Sequence, residues 1–258
     1  MKIAVLVSVG RHPVSGTARH SRNDAAALDI ALSLAKQHAA TLDVLHAGDP
    51  SNPALSEYLA LGARSVEVLD LSSMPEPHAD VAAPLAARLK GYDLVLTGTR
   101  AEGAFDSGML PYRVANALEI PLVGAAVDLT IRDGCAEIRQ FMPKGLRRRV
   151  EVDLPALIAV HPLANAAPRY AYARLREGTI RAVPAQAAIQ ADHLAWTIRP
   201  ATARPVRLAA AEKRSGHSRM LSATTTESRG GNVVIEGSSV EKAQVILAYL
   251  REHQLVDY

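Results

Sequence analysis

The chain has 258 residues, 48% of them hydrophobic, and its 29 basic and 26 acidic residues leave a formal net charge of +3. This length suffices for one large domain, or for one domain with an appendage, and the composition is typical of a globular protein with a buried core. So slight a basic excess argues against a nucleic-acid-binding protein, and the single cysteine, Cys135, excludes an internal disulfide framework and a cysteine-based metal site.

Short apolar runs alternate with helical patterns through the first 125 residues. The runs predict strands at residues 3–9, 42–47, 66–71, 94–97 and 122–127. Helices are predicted between them at 25–36, 53–63, 81–89 and 114–118, and Asn23 or Asp24 is the expected N-cap of the first. Because the strands are apolar on both faces and are followed by helices, they predict a mostly parallel, doubly wound α/β sheet of the Rossmann-like or adenine-nucleotide α-hydrolase-like class.

The pattern changes after residue 127. Residues 127–131 and 135–141 predict a hairpin with Asp133-Gly134 at its turn. From Leu146 to Leu154 charged and apolar residues largely alternate, which predicts a strand with one charged face. Residues 156–160 form one more apolar run, and they complete a sheet that carries an added hairpin.

The C-terminal third has little periodicity. Residues 170–177 resemble a helix, whereas 183–232 carry no long periodic pattern and predict an extended arm. Ser238 and Glu241 predict a capping box for a terminal helix. We therefore expect a nucleotide-binding domain at residues 1–182, and an arm with a terminal helix at 183–258 that contacts this chain or a partner.

The sequence predicts neither a membrane-spanning segment nor a targeting segment. No apolar run approaches the roughly 20 residues that span a bilayer, so direct membrane insertion is not expected. Residues 1–7 predict a strand and lack a small-residue cleavage site, which is atypical of a signal peptide. The bacterial cytoplasm is the expected location.

A loop after the fourth strand is the first candidate binding site. The strand ends in a turn that contains Gly98, and Asp106-Ser107-Gly108 precede a helix that begins at Pro111. Ligands of open α/β sheets bind outside the carboxyl ends of the strands, and backbone amides at a helix start favour phosphate. The same pattern also fits an ordinary helix N-terminus capped by Asp or Ser. Phosphate binding and simple capping both remain open.

Two further loops follow strand ends. Residues 10–23 contain five basic or histidine side chains and predict either a mobile, solvated loop or a basic cover over a nucleotide or flavin; these side chains are Arg11, His12, Arg19, His20 and Arg22. Ala47-Gly48 follow the second strand, where the lack of bulk would admit an adenine ring.

No catalytic machinery is predicted. The nine histidines form neither an HExxH motif nor a helical pair, so no metal site is expected. Ser107 lies outside any GxSxG motif, which argues against a serine hydrolase. Aromatic residues make up 4% of the chain, too few for a base-stacking surface.

Four segments in order resemble one known family, the beta subunit of the electron-transfer flavoproteins. They are Leu59-Ala60-Leu61-Gly62-Ala63-Arg64, Gly145-Leu146 with Leu154-Pro155-Ala156-Leu157-Ile158-Ala159, Pro168-Arg169-Tyr170-Ala171, and Val233-Val234-Ile235-Glu236 before the terminal helix. The resemblance covers essentially the whole chain. It implies a heterodimer in which an alpha-type partner holds the redox-active FAD, whereas the beta-type chain carries AMP or, in electron-bifurcating members, a second FAD.

The resemblance also implies functional residues by position. The nucleotide-binding positions are Ser8, Asn23, Asp24, Ala47, Gly48, Thr99, Arg100, Asp106, Ser107, Gly108, Met109 and Leu110. The positions implied to dock a flavin dehydrogenase are Arg169, Tyr170, Tyr172, Ala173 and Leu175. The implied role is electron carriage from that dehydrogenase to an acceptor such as a membrane quinone oxidoreductase, without catalytic residues in this chain.

The sequence departs from the family pattern at several of these positions. Met109 stands where the family has Gln, and Pro111 stands where it has Gly. Asn23 replaces an aromatic residue that approaches the flavin, and the docking segment lacks the usual Thr-Leu-Pro. These changes predict an atypical pocket and an atypical electron donor.

A different class of function shares the same architecture. A stand-alone adenine-nucleotide-binding protein, similar to the universal stress proteins, would bind ATP without an alpha-type partner. The long segment after residue 183 argues against it, because such a sensor has no use for an arm. An ATP-pyrophosphatase-type enzyme would need a Ser-Gly-Gly phosphate loop after the first strand, which Ser8-Val9-Gly10 does not supply.

Overall fold

The computed structural model describes residues 1–71, 81–102, 108–185, 215–217, 220, 234–253, 255 and 256. The chain divides into two compact units, Met1–Trp196 and Thr197–Tyr258. The first unit contains the β-sheet, and the second contains the terminal helix. The predicted boundary at residues 182 and 183 stays a prediction.

A nine-stranded sheet forms the centre of the first unit, in the order β11-β5-β4-β1-β6-β10-β7-β8-β9. The strands of this sheet are β1 (Lys2–Leu6), β4 (Thr41–Gly48), β5 (Ser65–Asp70), β6 (Leu94–Gly98), β7 (Leu122–Arg132), β8 (Cys135–Phe141), β9 (Arg147–Asp153), β10 (Ala156–Val160) and β11 (Thr179–Pro184). Two short strands, β2 (Val9–Arg11) and β3 (Ala18–His20), form a separate hairpin. Neighbours from β11 to β7 run parallel, and β8 and β9 add an antiparallel edge. The prediction of a mostly parallel sheet is confirmed.

Helices cover both faces of the sheet. They are α1 (Arg22–Gln37), α2 (Leu55–Ala60), α3 (Ala82–Arg88), α4 (Leu110–Leu118) and α5 (Arg174–Glu177). The second unit has its own helix, α6 (Ser239–Glu252). Ile3 of β1 packs in one cluster with residues of α1 and α2, whereas Ala4 packs in another with residues of α3 and α4. Successive residues of a strand point to opposite faces, so the two clusters lie on opposite sides, as in a doubly wound fold.

The first helix begins earlier than predicted. Ser21 is its N-cap, and the Ser21 hydroxyl accepts a hydrogen bond from the Asp24 backbone N–H. Asn23 and Asp24, the predicted caps, lie in the first turn and are buried. The prediction was wrong because Ser21, Asn23 and Asp24 are all residue types that can cap a helix, and tertiary contacts direct the Asp24 carboxylate elsewhere.

Other boundaries also differ from the prediction. Residues 122–131 were divided between two strands, but they form the single strand β7 with an irregularity between Ala126 and Asp128. The predicted helix at 170–177 is only the four-residue α5, and β11 was not predicted. The predicted first strand, 3–9, ends at Leu6, and β2 begins at Val9.

The predicted hairpin and capping box are confirmed. Asp133 and Gly134 form the turn between β7 and β8 with φ of 50° and 77°, which suits a Gly-containing turn. Ser238 and Glu241 exchange reciprocal hydrogen bonds at the start of α6. Most of the predicted arm, residues 183–232, lies outside the described residues. Within the described part of the chain, no helix is both long and apolar enough to cross a bilayer.

Candidate functional site

A cavity of about 980 Å³ opens at the carboxyl ends of β1, β4 and β6. The chain passes from β1 to β4 on one side and later returns to β6 on the other, so this is the point where the strand order reverses. Open α/β sheets bind their ligands at such a point. The polar and glycine lining of the cavity comprises Ser8, Gly10, Arg11, Arg19, Asp24, His46, Gly48, Asp49, Ser51, Asn52, Thr97, Gly98, Arg100 and Glu102.

A buried carboxylate joins the strands at the floor of this cavity. One oxygen of Asp24 accepts hydrogen bonds from the Ser8 backbone N–H at 2.8 Å and from the Ser8 hydroxyl at 2.6 Å. The other accepts from the Gly98 backbone N–H at 2.9 Å. Asp24 therefore ties the end of β1 to the end of β6 from the first turn of α1.

Burial sets the protonation of this carboxyl. It raises the pKa of Asp24 from 3.8 to about 6, against the opposing effect of the hydrogen bonds from Ser8, Gly98 and Ser21. Asp24 is ionised at neutral pH, and the hydrogen bonds compensate part of the cost of burying its charge.

The titration of Asp24 should make stability depend on pH. The folded chain binds the proton more tightly than the unfolded chain, so the free energy of unfolding should fall as pH rises from about 4 to about 6. A change in pKa from 3.8 to about 6 corresponds to about 3 kcal/mol. We expect Asp24→Asn to remove this component, and urea unfolding at pH 4, 5, 6 and 7 measures it. An identical pH profile in the variant would contradict the assignment.

Two glycines permit close packing around the floor. A Cβ at Gly98 would overlap the Asp24 carboxylate and lie 2.7 Å from the Asn23 Cβ. A Cβ at Gly10 would overlap the Glu102 side chain. The missing side chains therefore let α1 and the segment after β6 approach the strand ends.

The β2–β3 hairpin forms a basic wall of the cavity. Arg11 and Arg19 both line it, and Arg19 Nη2 lies 3.0 Å from Glu102 Oε2. Glu102 also donates its backbone N–H to the Ser8 hydroxyl, which links this wall to the cavity floor. Arg19 Nε is buried without a hydrogen-bond partner, so the guanidinium is not fully satisfied in this arrangement.

The base of the hairpin is anchored to α2. The His20 ring and backbone N–H both contact the Glu57 carboxylate. Tyr58, fully buried, donates its hydroxyl to the Ser8 carbonyl at 2.5 Å and accepts from the Ser21 N–H at 2.9 Å. These contacts make this part of the predicted loop an ordered element rather than a solvated one.

A buried histidine lies at the opposite, β4 side of the cavity. His46 is 5% exposed, and its Nδ1 lies 2.8 Å from the Val7 carbonyl oxygen. Burial lowers the pKa of His46 from 6.5, so the ring is neutral at pH 7. A carbonyl only accepts, so Nδ1 carries the proton and Nε2 is an acceptor.

Comparison with known proteins gives the family. Residues 15–188 match the family described as the Electron transfer flavoprotein domain. The Electron transfer flavoprotein subunit beta of Chromohalobacter salexigens is 35% identical over 263 aligned residues, which cover 99% of this chain and 96% of that protein. The chain belongs to the electron transfer flavoprotein beta-subunit family. Its role is therefore electron transfer, as a subunit of a flavoprotein.

The cavity of this beta-type chain includes half of the predicted nucleotide-binding positions. Those that line it are Ser8, Asp24, Ala47, Gly48, Arg100 and Leu110. Asn23, Thr99, Gly108 and Met109 are outside the lining, and Asp106 and Ser107 lie outside the described residues. The Ser8 hydroxyl donates a hydrogen bond to the Asp24 carboxylate, so in this structure both side chains form part of the cavity floor.

Sequence reasoning missed His46, Glu102 and Tyr58. His46 stands inside an apolar strand pattern, where a lone histidine interrupting the run was the available signal. Glu102 and Tyr58 act through tertiary contacts with Arg19 and Ser8, which no local pattern reveals. Within the described residues, no group of three or more His, Cys, Asp or Glu could hold a metal ion.

Proposed function

We propose that this chain is the beta subunit of a heterodimeric electron transfer flavoprotein in the bacterial cytoplasm. It would accept electrons from a flavin dehydrogenase and pass them to an acceptor such as a membrane quinone oxidoreductase. The observation that carries this proposal is the similarity over 99% of the chain to a protein named as a beta subunit. FAD, held mainly by the alpha-type partner, would supply the redox chemistry, and this chain would contribute binding surfaces without catalytic residues.

AMP is the nucleotide that we propose for the cavity. Arg11, Arg19 and Arg100 provide a cationic side that suits a phosphate. The cavity also reaches Leu110 at the start of α4, near the predicted phosphate loop. Gly48 lines the side of the cavity opposite these arginines, and its lack of a side chain leaves room for the adenine base. These features support a mononucleotide whose phosphate lies on the β6 side.

The proposed dehydrogenase-docking segment lies at the end of α2. The Ala171 N–H donates to the Ala60 carbonyl at 2.9 Å, and the Arg174 guanidinium donates to the carbonyls of Ala60 and Arg169. Tyr170 and Tyr172 are 53% and 71% exposed, respectively. The anchored backbone would present these rings for docking, together with Arg169 and Ala173, which are also exposed.

Leu175 differs from the other proposed docking residues. Its side chain is half-buried and packs against the core cluster that contains α1 and α2. This contact supports a role in holding the segment in place.

Electron transfer from the dehydrogenase tests this docking segment. In a complex with the alpha-type partner, Tyr172→Ala should slow reduction of the flavin by the dehydrogenase about tenfold, because exposed tyrosines often dominate interface energetics. Stopped-flow flavin absorbance measures the rate. Tyr112→Ala, which removes a 55% exposed tyrosine from α4, is the matched control and should leave the rate near that of the original complex. Equal rates for the two variants would contradict the proposed surface.

A further inference from the structure

His46 offers the cavity a hydrogen-bond acceptor that none of the described residues uses. Its Nδ1–H donates a hydrogen bond to the Val7 carbonyl. The residue lines the cavity although it is only 5% exposed. Among the described residues, Nε2 has no hydrogen-bond partner. Because this nitrogen faces the cavity, a ligand that displaces water from it must supply a donor, or the acceptor is left unpaired at a cost in binding free energy.

Gly48 keeps this acceptor accessible. A Cβ at position 48 would lie 2.7 Å from His46 Nε2, so any larger residue would cover that edge of the ring. Gly48 itself lines the cavity, which places the unpartnered nitrogen beside an open position. The geometry favours a flat ligand group that donates a hydrogen bond.

The distance across the cavity suits the length of a mononucleotide. β4 and β6 lie on either side of β1, so their ends are separated by about 10 Å at ordinary strand spacing. The Arg19–Glu102 pair and the start of α4 lie on the β6 side, and His46 lies at the end of β4. A phosphate on the cationic side therefore directs the base towards His46.

We propose that His46 Nε2 accepts a hydrogen bond from the 6-amino group of the bound base, and that it selects a 6-aminopurine nucleotide over a 6-oxopurine one. The inference rests on the proposed nucleotide site. A 6-oxo group would place one acceptor against another, which leaves both without a donor. The residue thus determines the base specificity of the cavity.

Nucleotide binding to the full chain, freed of endogenous nucleotide, tests this inference. Isothermal titration should show AMP binding about tenfold more tightly than inosine monophosphate, the loss expected when a buried acceptor is unpaired. His46→Phe should weaken AMP and bring the two affinities together. His46→Gln should restore part of the preference, because its amide can donate to Val7 and still offer an oxygen.

The outcomes separate this inference from the proposed function. Equal binding of AMP and inosine monophosphate to the unaltered chain would overturn the role of His46 and leave the nucleotide site standing. An undiminished preference in His46→Phe would do the same. Failure to bind either nucleotide would overturn both. Purine riboside monophosphate, which lacks the 6-substituent, should bind the unaltered chain more weakly than AMP, and this arm requires no variant to fold.

Discussion

Replacing Asp24 with alanine is expected to lower the free energy of unfolding by about 3 kcal/mol at pH 7. The substitution removes the acceptor of the Ser8 N–H, the Ser8 hydroxyl and the Gly98 N–H. A buried donor left without a partner costs about 1–3 kcal/mol, and relief of the buried charge offsets part of the total. Urea unfolding followed by circular dichroism measures the change.

A second carboxylate of the same helix is the control for this prediction. Asp29 accepts a hydrogen bond from the Ala167 N–H at 2.9 Å, at an exposed position. Asp29→Ala should cost about 1 kcal/mol or less, because water can replace that partner. Equal losses for the Asp24 and Asp29 variants would show that Asp24 does not hold the strand ends together.

A methyl group added at Gly98 should have an effect of similar size. Its Cβ would overlap the Asp24 carboxylate and lie 3.3 Å from the carbonyl carbon of Asn23, so α1 must move away from β6. We expect Gly98→Ala to cost about 3 kcal/mol, the upper part of the range for overpacking, and to reduce the nucleotide that copurifies with the chain. Thermal unfolding and chromatography of an acid extract measure the two effects.

Gly124 provides a matched alanine substitution in another strand of the same sheet. A Cβ there would meet only the Tyr112 hydroxyl, at an ordinary contact distance of 3.7 Å. Gly124→Ala should change stability by less than about 1 kcal/mol and leave the nucleotide content unchanged. If Gly98→Ala behaves like this control, the close approach of α1 to β6 is not required for the cavity.

The parallel sheet could be predicted from the sequence because its central strands are short, continuous apolar segments. The inner parallel strands are buried on both faces, so β1, β6 and β10 read as continuous apolar runs. The missed strand β11 has the opposite character. Its residues are mostly exposed, and it joins the sheet by backbone pairing with β5, which side-chain patterns do not encode.

The candidate site was less predictable than the sheet because its geometry is tertiary. Asp24 was selected by family position, yet its bonds to Ser8 and Gly98 span 16 and 74 residues of sequence, respectively. The basic loop after β1 allowed two interpretations, a solvated loop or a cover over a nucleotide or flavin. Its contacts with α2 and with Glu102 show that the base of the hairpin is packed against the first unit, whereas its role as a cover stays a prediction. Hydrogen bonds and ion pairs between residues far apart in the sequence leave no local sequence pattern from which they could be predicted.

The nucleotide and flavin content of the purified pair tests the central claim most directly. The chain would be co-expressed with its alpha-type partner, purified and denatured in acid, and the released cofactors quantified by chromatography. We predict a yellow 1:1 complex that releases one FAD and one AMP per pair. A self-associated chain that binds ATP, recruits no partner and carries no flavin would contradict the claim and favour the stand-alone nucleotide-binding function.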